Sequence, residues 1–353
     1  MMDLQHYYMP AEWAPHRGTL LTWPHRPEIW RGVHPQVEQT FAEITKELAE
    51  VEEVHISVPD AAYRDHVQTL LDQTGADQSK VYFHLIDSDD VWCRDHGPIF
   101  VVRREQAPAD LPPLAMLDWE FNAWGGKFAS GLDNQIPRKL QGFFGVPLVS
   151  PGLVMEGGSL EVNGRGDLLT TEAVLLNDNR NPGQTQQDLQ ASLRYHLGVQ
   201  RVHWLGRGLI GDDTDGHIDD MARFVDEKTL VIVAPQDKDN PDYDIMQDNI
   251  VRLKEISASH ALDWRIVELP APEPIAFSDE HLPASYANFY IANSKVLVPI
   301  FQQPADAQAL AILQALMPDH RVIGIDGRWL VTQYGNIHCV TQQIPVAGST
   351  AEQ

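Results

Sequence analysis

Two short segments of the chain carry residue types suited to thiol chemistry. Cys339 lies in a glycine-led polar stretch beside His338, and the chain holds only two cysteines, so this thiol does not belong to a disulfide framework. A thiolate is a strong nucleophile at neutral pH, and this setting predicts a thiol that can be reached and whose thiolate is stabilised. His217 and Asp219 form a His-x-Asp pair, and on an extended segment their side chains would point to the same side. Thiol, imidazole and carboxylate together indicate nucleophilic catalysis.

Two further carboxylates stand in glycine-rich turns. Asp95 precedes a Gly-Pro pair and Glu156 precedes two glycines; each alone is typical of an ordinary turn. A planar guanidinium, with five N–H donors and a permanent charge, can be held by carboxylates on opposite edges while its central carbon faces a sulfur. A histidine can then protonate departing ammonia and later deprotonate water. The set predicts hydrolysis of a guanidine with no cofactor.

The acidic segment at 211–220 has an alternative interpretation as a metal site. Its aspartates resemble a calcium loop in composition, but they lack the regular spacing of oxygen ligands that such a loop requires. We therefore expect no metal ion here.

Helical and strand-like patterns alternate along the chain. Helix-to-strand units are expected at Val37–Val51 with 54–58, 134–143 with 146–149, Leu189–Leu197 with 201–205, 245–256 with 264–269, and 310–316 with 321–325, with an extra helix at 60–73. A polar cluster follows each unit: 92–98, 156–159, 212–220, 285–288 and the Cys339 segment. The repetition favours a radial α/β arrangement of five repeats with one loop from each at a shared centre, although an ordinary open α/β sheet is the alternative. We expect one catalytic domain over 1–346 and a loose tail at 347–353.

Composition narrows the class of protein. With 26 basic and 50 acidic residues the net charge is −24, which disfavours nucleic acid and anionic membranes and favours a small cationic ligand. The first residues do not resemble a signal peptide, and no apolar run is long enough to cross a bilayer. We expect a cytoplasmic protein.

The chain resembles the agmatine deiminase and bacterial-type (Porphyromonas-type) peptidylarginine deiminase family of the guanidino-group-modifying, or pentein, superfamily. The shared motifs run nearly end to end: Met9 to Trp13, Trp92 to Pro98, Asp118 to Gly126, Glu156 to Gly158, Gly216 to Asp219, and Asn336 to Cys339. The resemblance implies a five-bladed α/β propeller built from ββαβ repeats, and self-association into a homo-oligomer.

The resemblance also implies a role for each reactive residue. Cys339 would be the nucleophile, His217 the general acid and base, Asp95 and Asp219 the guanidinium ligands, and Glu156 a further ligand that supports His217. Hydrolysis of a thiouronium adduct would give a urea. For agmatine the products would be N-carbamoylputrescine and ammonia, a step of putrescine biosynthesis.

Three motifs depart from the agmatine deiminase pattern and leave the substrate open. Members generally have Arg-Asp-Thr-Gly-Pro, and here His96 replaces the threonine of that motif. They have a run of glycines before Asn-Ile-His-Cys, where this chain has Gln333-Tyr334-Gly335. They tend to have Asp-Glu-Thr-Asn-Gly-His, where this chain has Asp213-Thr214-Asp215-Gly216-His217. His96 is expected to be a pocket or surface-turn residue.

Four residues are expected to contact the far end of the substrate. Trp92, Trp119 and Trp124 can cover an alkyl chain or an ammonium, with core packing as the alternative for each, and Asn288 is a further candidate. Cys93 is expected to be a small buried hydrophobe.

Several other functions remain open from the sequence. The same residues could act on peptidyl-arginine or free arginine to give citrulline, or transfer the amidino group to an amine. An inactive polyamine-binding protein and a metal-dependent hydrolase are alternatives from other classes.

Overall fold

The computed structural model describes residues 2–278 and 280–347. Of the predicted tail at 347–353, residues 348–353 lie outside the described residues.

Nineteen strands are formed within the described ranges. They are β1 Tyr7–Tyr8, β2 His16–Thr22, β3 Glu53–Val58, β4 Val81–Leu85, β5 Ile99–Arg103, β6 Leu114–Leu117, β7 Leu148–Val149, β8 Glu161–Val162, β9 Asp167–Thr171, β10 Arg201–Leu205, β11 Ala222–Phe224, β12 Thr229–Val233, β13 Arg265–Leu269, β14 Ile275–Phe277, β15 Glu280–Leu282, β16 Tyr290–Ala292, β17 Lys295–Ile300, β18 Arg321–Asp326 and β19 Gln342–Pro345.

The helices are of two kinds. The α-helices of the described chain are α1 His34–Ala49, α2 Ala61–Thr74, α3 Cys93–His96, α4 Ala123–Gly126, α5 Ile136–Phe144, α6 Glu172–Leu175, α7 Gln186–Leu197, α8 Tyr243–Ser259 and α9 Pro304–Leu316. Its 3₁₀ helices are Leu4–His6, Pro27–Trp30, Gln78–Lys80, Asp133–Gln135, Gly157–Ser159, Ile218–Asp220 and Leu330–Gln333. None of these helices is long and apolar enough to cross a membrane, over the part of the chain described.

One supersecondary module recurs five times in the described structure. In each, an antiparallel strand pair is followed by a helix and then by a strand parallel to the second member of the pair: β19-β2-α1-β3, β5-β6-α5-β7, β8-β9-α7-β10, β11-β12-α8-β13 and β16-β17-α9-β18. The first module closes through the last strand, because β19 pairs with β2 near the other end of the chain. The predicted α/β class and the predicted repeat count agree with this topology; none of the described sheets closes on itself.

Local sequence signals explain where these helices begin and end. Thr185 and Asp188 form a reciprocal capping box at the start of α7, and Gly198 ends it at φ 65°. Leu189, Leu193 and Leu197 recur every fourth position and are fully buried. The predicted helix-to-strand units are confirmed with shifts of a few residues at their ends.

The strand predicted over 146–149 is shorter than expected. Only Leu148–Val149 pairs, in parallel with Met116 and Leu117 of β6. Pro147 has no N–H to donate to a ladder, which accounts for the late start of this strand.

Candidate active site

Each predicted site segment lies immediately before the first strand of one module. Asp95 is on α3 before β5, Glu156 precedes the Gly157–Ser159 turn before β8, and His217 precedes the Ile218–Asp220 turn before β11. Asn288 and Cys339 precede β16 and β19. Repetition of one module thus delivers one polar segment per repeat to a common region.

Gly158 lies at the point where three of these segments meet. Its N–H donates to Asp95 Oδ1 at 2.9 Å. A Cβ at this position would lie 2.5 Å from His217 Nδ1, 2.9 Å from Asp95 Oδ1 and 3.1 Å from Asp219 Oδ2. Only a residue without a side chain allows these groups to approach so closely.

Asp95 is buried and held from two sides. In addition to the Gly158 bond, its Oδ2 accepts from the Trp124 indole N–H at 2.9 Å. Trp124 adopts φ 55°, an uncommon conformation for a bulky residue, and in that conformation its indole reaches the carboxylate. Burial, reinforced by the charges of Asp219 and Glu156, raises the pKa of Asp95 to about 6 despite the opposing effect of His217.

His217 lies between two carboxylates. Its Nδ1 is 3.8 Å from Asp95 Oδ1 and its Nε2 is 3.9 Å from Glu156 Oε2, and neither ring nitrogen has a hydrogen-bond partner among the described residues. Burial opposes the charged imidazolium, but Asp95, Glu156 and Asp219 outweigh it and raise the pKa of His217 to about 10.

The prediction that His217 and Asp219 stand on an extended segment is wrong. Residues Ile218–Asp220 form a 3₁₀ turn, fixed by Asp212, whose carboxylate accepts from the His217 N–H at 3.0 Å, and by the hydroxyl of Ser285, which donates to the Asp220 carbonyl. The two side chains nevertheless reach the same region through this turn.

Glu156 is paired with an arginine that the sequence did not single out. Arg180 Nε donates to Glu156 Oε1 at 2.6 Å, and both side chains are fully buried. The same guanidinium also bonds Asp215 at 2.7 Å and the Thr214 carbonyl at 2.8 Å. Although burial raises it, the pKa of Glu156 is lowered overall by His217 and Arg180. Glu156 Oε2 has no partner within the described chain.

A buried charge network supports Asp219. Its Oδ2 lies 2.6 Å from His338 Nδ1, and His338 Nε2 lies 2.7 Å from Glu12 Oε2. Glu12 also accepts from Arg223 at 2.8 Å and Arg94 at 3.2 Å. Burial opposes ionisation of Asp219, but the contact with His338 lowers its pKa overall. Its Oδ1 is buried without a partner in the described residues.

Cys339 is buried but faces the pocket. Its Sγ accepts from Asn288 Nδ2 at 3.1 Å and lies 3.9 Å from Asp219 Oδ2. Burial raises the pKa of this thiol well above its usual range, and the charges of Asp219, Asp220 and Asp95 raise it further. The expectation of a stabilised thiolate is therefore wrong for the protein by itself, because burial and these carboxylates oppose ionisation of the thiol. The His338 ring is directed at Asp219 and Glu12 instead.

A pocket of about 280 Å³ leads to Cys339 and Asp95. Trp92 and Trp124 form part of its wall, and Tyr334 lies at its rim. The charged residues of the lining are acidic except for Arg26, and they are Glu28, Asp89, Asp90, Asp95, Asp133, Asp213 and Asp220. This composition suits a cation.

Two predicted pocket residues lie elsewhere. Trp119 packs on His196 with ring centres 5.2 Å apart, in a buried cluster with α7, and is absent from the described pocket lining. His96 is neither a pocket nor a surface-turn residue, because it is buried against Phe121 and burial lowers its pKa to about 3. Cys93 is a buried free thiol with its pKa raised by burial to about 12, as expected for a small core residue.

The Cys339 thiol and one carboxylate oxygen each from Asp219 and Asp220 lie within 4.8 Å of one another, a separation that could suit a metal ion. The Asn288 amide N–H₂ points at both Cys339 Sγ and Asp220 Oδ1, at 3.1 and 2.9 Å, and His338 occupies Asp219 Oδ2. Donors directed at these atoms disfavour a cation ligand set, so the group does not fit a resident metal well.

The residues missed by sequence reasoning are mainly the partners of the predicted carboxylates. Arg180 carried no motif signal. Glu12 and His338 stood inside recognised motifs but received no role, and Asp90 and Asp213 stood among other aspartates. Motif membership was the available signal for Glu12 and His338.

Comparison with known proteins connects this geometry to a family. The profile of the Porphyromonas-type peptidyl-arginine deiminase family matches residues 8–345. An agmatine deiminase of Ectopseudomonas mendocina is 36% identical, with 96% of this chain and 95% of that protein covered.

Solved structures agree with the sequence matches. A substrate-bound serine variant of C. jejuni agmatine deiminase is 31% identical with a TM-score of 0.85 over 97% of both chains. The agmatine deiminase of Enterococcus faecalis is 28% identical with a TM-score of 0.88 over 98% of both chains. The chain therefore belongs to the Porphyromonas-type peptidyl-arginine deiminase family, which spans nearly its whole length.

Proposed function

We propose that this protein hydrolyses agmatine to N-carbamoylputrescine and ammonia through a covalent adduct on Cys339. One observation carries the proposal: two buried carboxylate oxygens around one centre, Glu156 Oε2 and Asp219 Oδ1, have no hydrogen-bond partner among the described residues. Unsatisfied buried polar groups are costly, so a ligand that pairs with them is favoured. Carboxylate oxygens require N–H donors, and a guanidinium supplies five.

The guanidinium would enter between the carboxylates. Asp95 and Asp219 approach the Gly158 position from different segments, and Glu156 lies across His217 from Asp95. Bidentate pairs with planar N–H edges would fix the central carbon near Cys339 Sγ. Because Gly158, Trp124, Arg180 and His338 already hold these carboxylates, little rearrangement is required.

The substrate would itself activate the thiol. Burial and the carboxylates near Cys339 keep its pKa high, and a bound cation offsets the charge of those carboxylates. The thiol proton leaves to solvent as the cation enters, and the thiolate attacks the guanidinium carbon. Cys339 therefore becomes nucleophilic only when a cationic substrate is bound. This requirement protects the thiol from other electrophiles.

His217 would provide both proton transfers. Its raised pKa keeps the ring protonated, so it can donate to the departing nitrogen as the C–N bond breaks, leaving a thiouronium on Cys339 and releasing ammonia. The neutral ring then accepts a proton from water as water attacks the same carbon. Cleavage of the C–S bond gives the urea and restores the thiol.

The outer pocket favours a second cation at the far end of the substrate. Burial and the neighbouring Asp212 raise the pKa of Asp213 to about 7, and burial raises that of Asp90 to about 6. An ammonium would ionise both carboxyls, whereas the α-carboxylate of free arginine would be repelled. Agmatine has an ammonium there, and the relatives described as agmatine deiminases support the choice.

Peptidyl-arginine is the second candidate, because the family profile is described by that substrate. A peptide would have to place its backbone at a rim containing Glu28, Asp89 and Tyr334. The acidic rim offers an amide backbone no matching charge, so agmatine is the better fit.

The larger organisation is part of the proposal. Five modules that each deliver a segment to one site support a five-bladed α/β propeller and a single catalytic domain over 1–346. Two free cysteines support a reducing, cytoplasmic setting and a role in putrescine biosynthesis there. Homo-oligomerisation stays a prediction.

The test is ammonia release from agmatine, free arginine, a blocked arginine peptide and a methylated arginine. We expect agmatine to give the highest kcat/KM. Equal or better turnover of the blocked peptide would replace agmatine by peptidyl-arginine. Tight putrescine binding without ammonia release from any member of the panel would indicate a binding protein instead.

A further inference from the structure

Tyr334 stands at the pocket rim in a strained conformation. It follows the Leu330–Gln333 turn with φ 69°, in the left-handed region that disfavours residues with a Cβ. Strain of this kind persists where surrounding contacts hold the residue, and it is concentrated at ligand-contacting sites.

Two side chains, Arg31 and Glu280, hold Tyr334 in place, and we call the three residues the rim clasp. The Tyr334 hydroxyl donates to Glu280 Oε2 at 2.7 Å and accepts from Arg31 Nη2 at 3.0 Å. Arg31 Nη1 closes the triangle on Glu280 at 2.8 Å, and the Arg31 guanidinium lies 5.7 Å from the Tyr334 ring centre. The clasp joins segments before α1, on the β14–β15 hairpin and before Cys339.

The clasp is connected to the pocket through the next residue. Gly335 packs so closely on Trp92 that a Cβ there would lie 2.3 Å from the indole ring. Gln333, Tyr334 and Gly335 all line the pocket, as does Trp92. The path of this segment is therefore fixed on the inner side by Trp92 and on the outer side by the clasp.

We propose that Tyr334 is a specificity-determining residue that limits the width of the outer pocket. Held by Arg31 and Glu280, its ring admits slender, unbranched alkyl guanidines to Cys339 and excludes guanidines carried on a peptide backbone. This inference rests on the proposed function, which supplies the reaction, and it concerns only which guanidines enter the pocket.

The main experiment compares agmatine with benzoyl-arginine amide in Tyr334→Gly, Tyr334→Phe and Arg31→Ala. We expect Tyr334→Gly to raise the kcat/KM ratio of the blocked arginine to agmatine at least about tenfold, through a lower KM for the blocked substrate. Tyr334→Phe keeps the ring and loses the clasp hydroxyl, so a smaller increase is expected, similar to that of Arg31→Ala. As a matched control, Arg64→Ala removes an exposed arginine paired with Asp65 on α2 and should leave the ratio unchanged.

A second readout does not depend on turnover. The rate of Cys339 labelling, followed by intact mass, is compared for a small free haloacetamidine and one carried on a blocked ornithine. Tyr334→Gly should accelerate only the larger reagent. An unchanged ratio of the two labelling rates in a folded Tyr334→Gly protein overturns the proposal, even if agmatine is turned over. Failure of every guanidine in the turnover assay would overturn the proposed function while leaving the labelling ratio measurable.

Discussion

Asp219→Asn separates the reactivity of the thiol from the turnover of substrate. Asp219 Oδ2 lies 3.9 Å from Cys339 Sγ, and its charge contributes to the raised pKa of the thiol. Two unit charges at about 4 Å interact by about 4 kcal/mol at an effective dielectric constant near 20. Removing the carboxylate charge should therefore favour the thiolate by up to about 1000-fold at a fixed pH. His338 contacts the same oxygen and offsets part of the effect of the carboxylate charge on the thiol, so the observed increase in thiolate should be smaller.

The assay is alkylation of Cys339 by neutral iodoacetamide between pH 7 and 10. The variant should react faster than the natural protein at every pH below the thiol pKa. Agmatine turnover should change in the opposite direction, because losing one partner of a buried charge pair costs about 2–5 kcal/mol, a fall in kcat/KM of at least about 30-fold.

Asp118→Asn is the matched control. Asp118 is a buried aspartate like Asp219, and its cationic partner is Arg138 at 2.7 Å, but it is not among the residues that line the pocket. It should leave the alkylation rate of Cys339 unchanged. Equal or slower alkylation of a folded Asp219→Asn protein would refute the electrostatic reasoning.

Three other substitutions probe the supporting structure. Arg180→Met leaves Glu156 buried without its partner and should lower the free energy of unfolding by about 3–5 kcal/mol in urea denaturation. Gly335→Ala forces a Cβ against Trp92 and should cost about 1–3 kcal/mol in the same measurement, with a raised KM for agmatine. Asp213 has its pKa raised to about 7, so it is mostly neutral below that pH and ionised above it, and KM for agmatine should fall as pH rises through 7. Asp213→Asn should raise KM about 10- to 100-fold and remove this pH dependence.

Each of these has a comparison that isolates its cause. Arg165→Met breaks an exposed pair and should cost at most about 1 kcal/mol. Gly142→Ala adds a Cβ to α5 with nothing within 4 Å and should not destabilise. Asp178→Asn alters an exposed carboxylate and should leave KM unchanged. An unfolding free energy of Arg180→Met equal to that of Arg165→Met would contradict the importance of the buried pair. A Gly335→Ala protein as stable as Gly142→Ala would contradict the close packing of Gly335 on Trp92. A KM that still depends on pH in Asp213→Asn would contradict the assignment of Asp213 to the ammonium site.

The repeat, and the delivery of one polar segment per repeat to a common region, were largely predictable from sequence. The hydrophobic periodicity and the end signals of a helix, as in Leu189 to Gly198, depend on local interactions, so a single segment of sequence is enough to predict them. Motif order predicted that Asp95, Glu156, His217, Asn288 and Cys339 belong together, because each polar cluster follows one repeat of the module.

The partners of those residues were not predictable, for a physical reason. Arg180 and Glu12 act through tertiary contacts between charges distant in sequence, and isolated charges are usually solvent-facing. The thiol pKa depends on burial and on the charges of carboxylates from different segments, so the adjacency of His338 in sequence was misleading. Trp119 illustrates the same limit: an aromatic motif does not reveal whether it faces a core or a pocket.

Attack of Cys339 on the guanidinium carbon is tested most directly by rapid acid quench of a turnover mixture followed by peptide mass spectrometry. We expect a transient adduct on the Cys339 peptide whose added mass equals that of agmatine less one ammonia, and neither turnover nor adduct in Cys339→Ser. Near-normal ammonia release by folded Cys339→Ser, or an adduct confined to another residue, would contradict it.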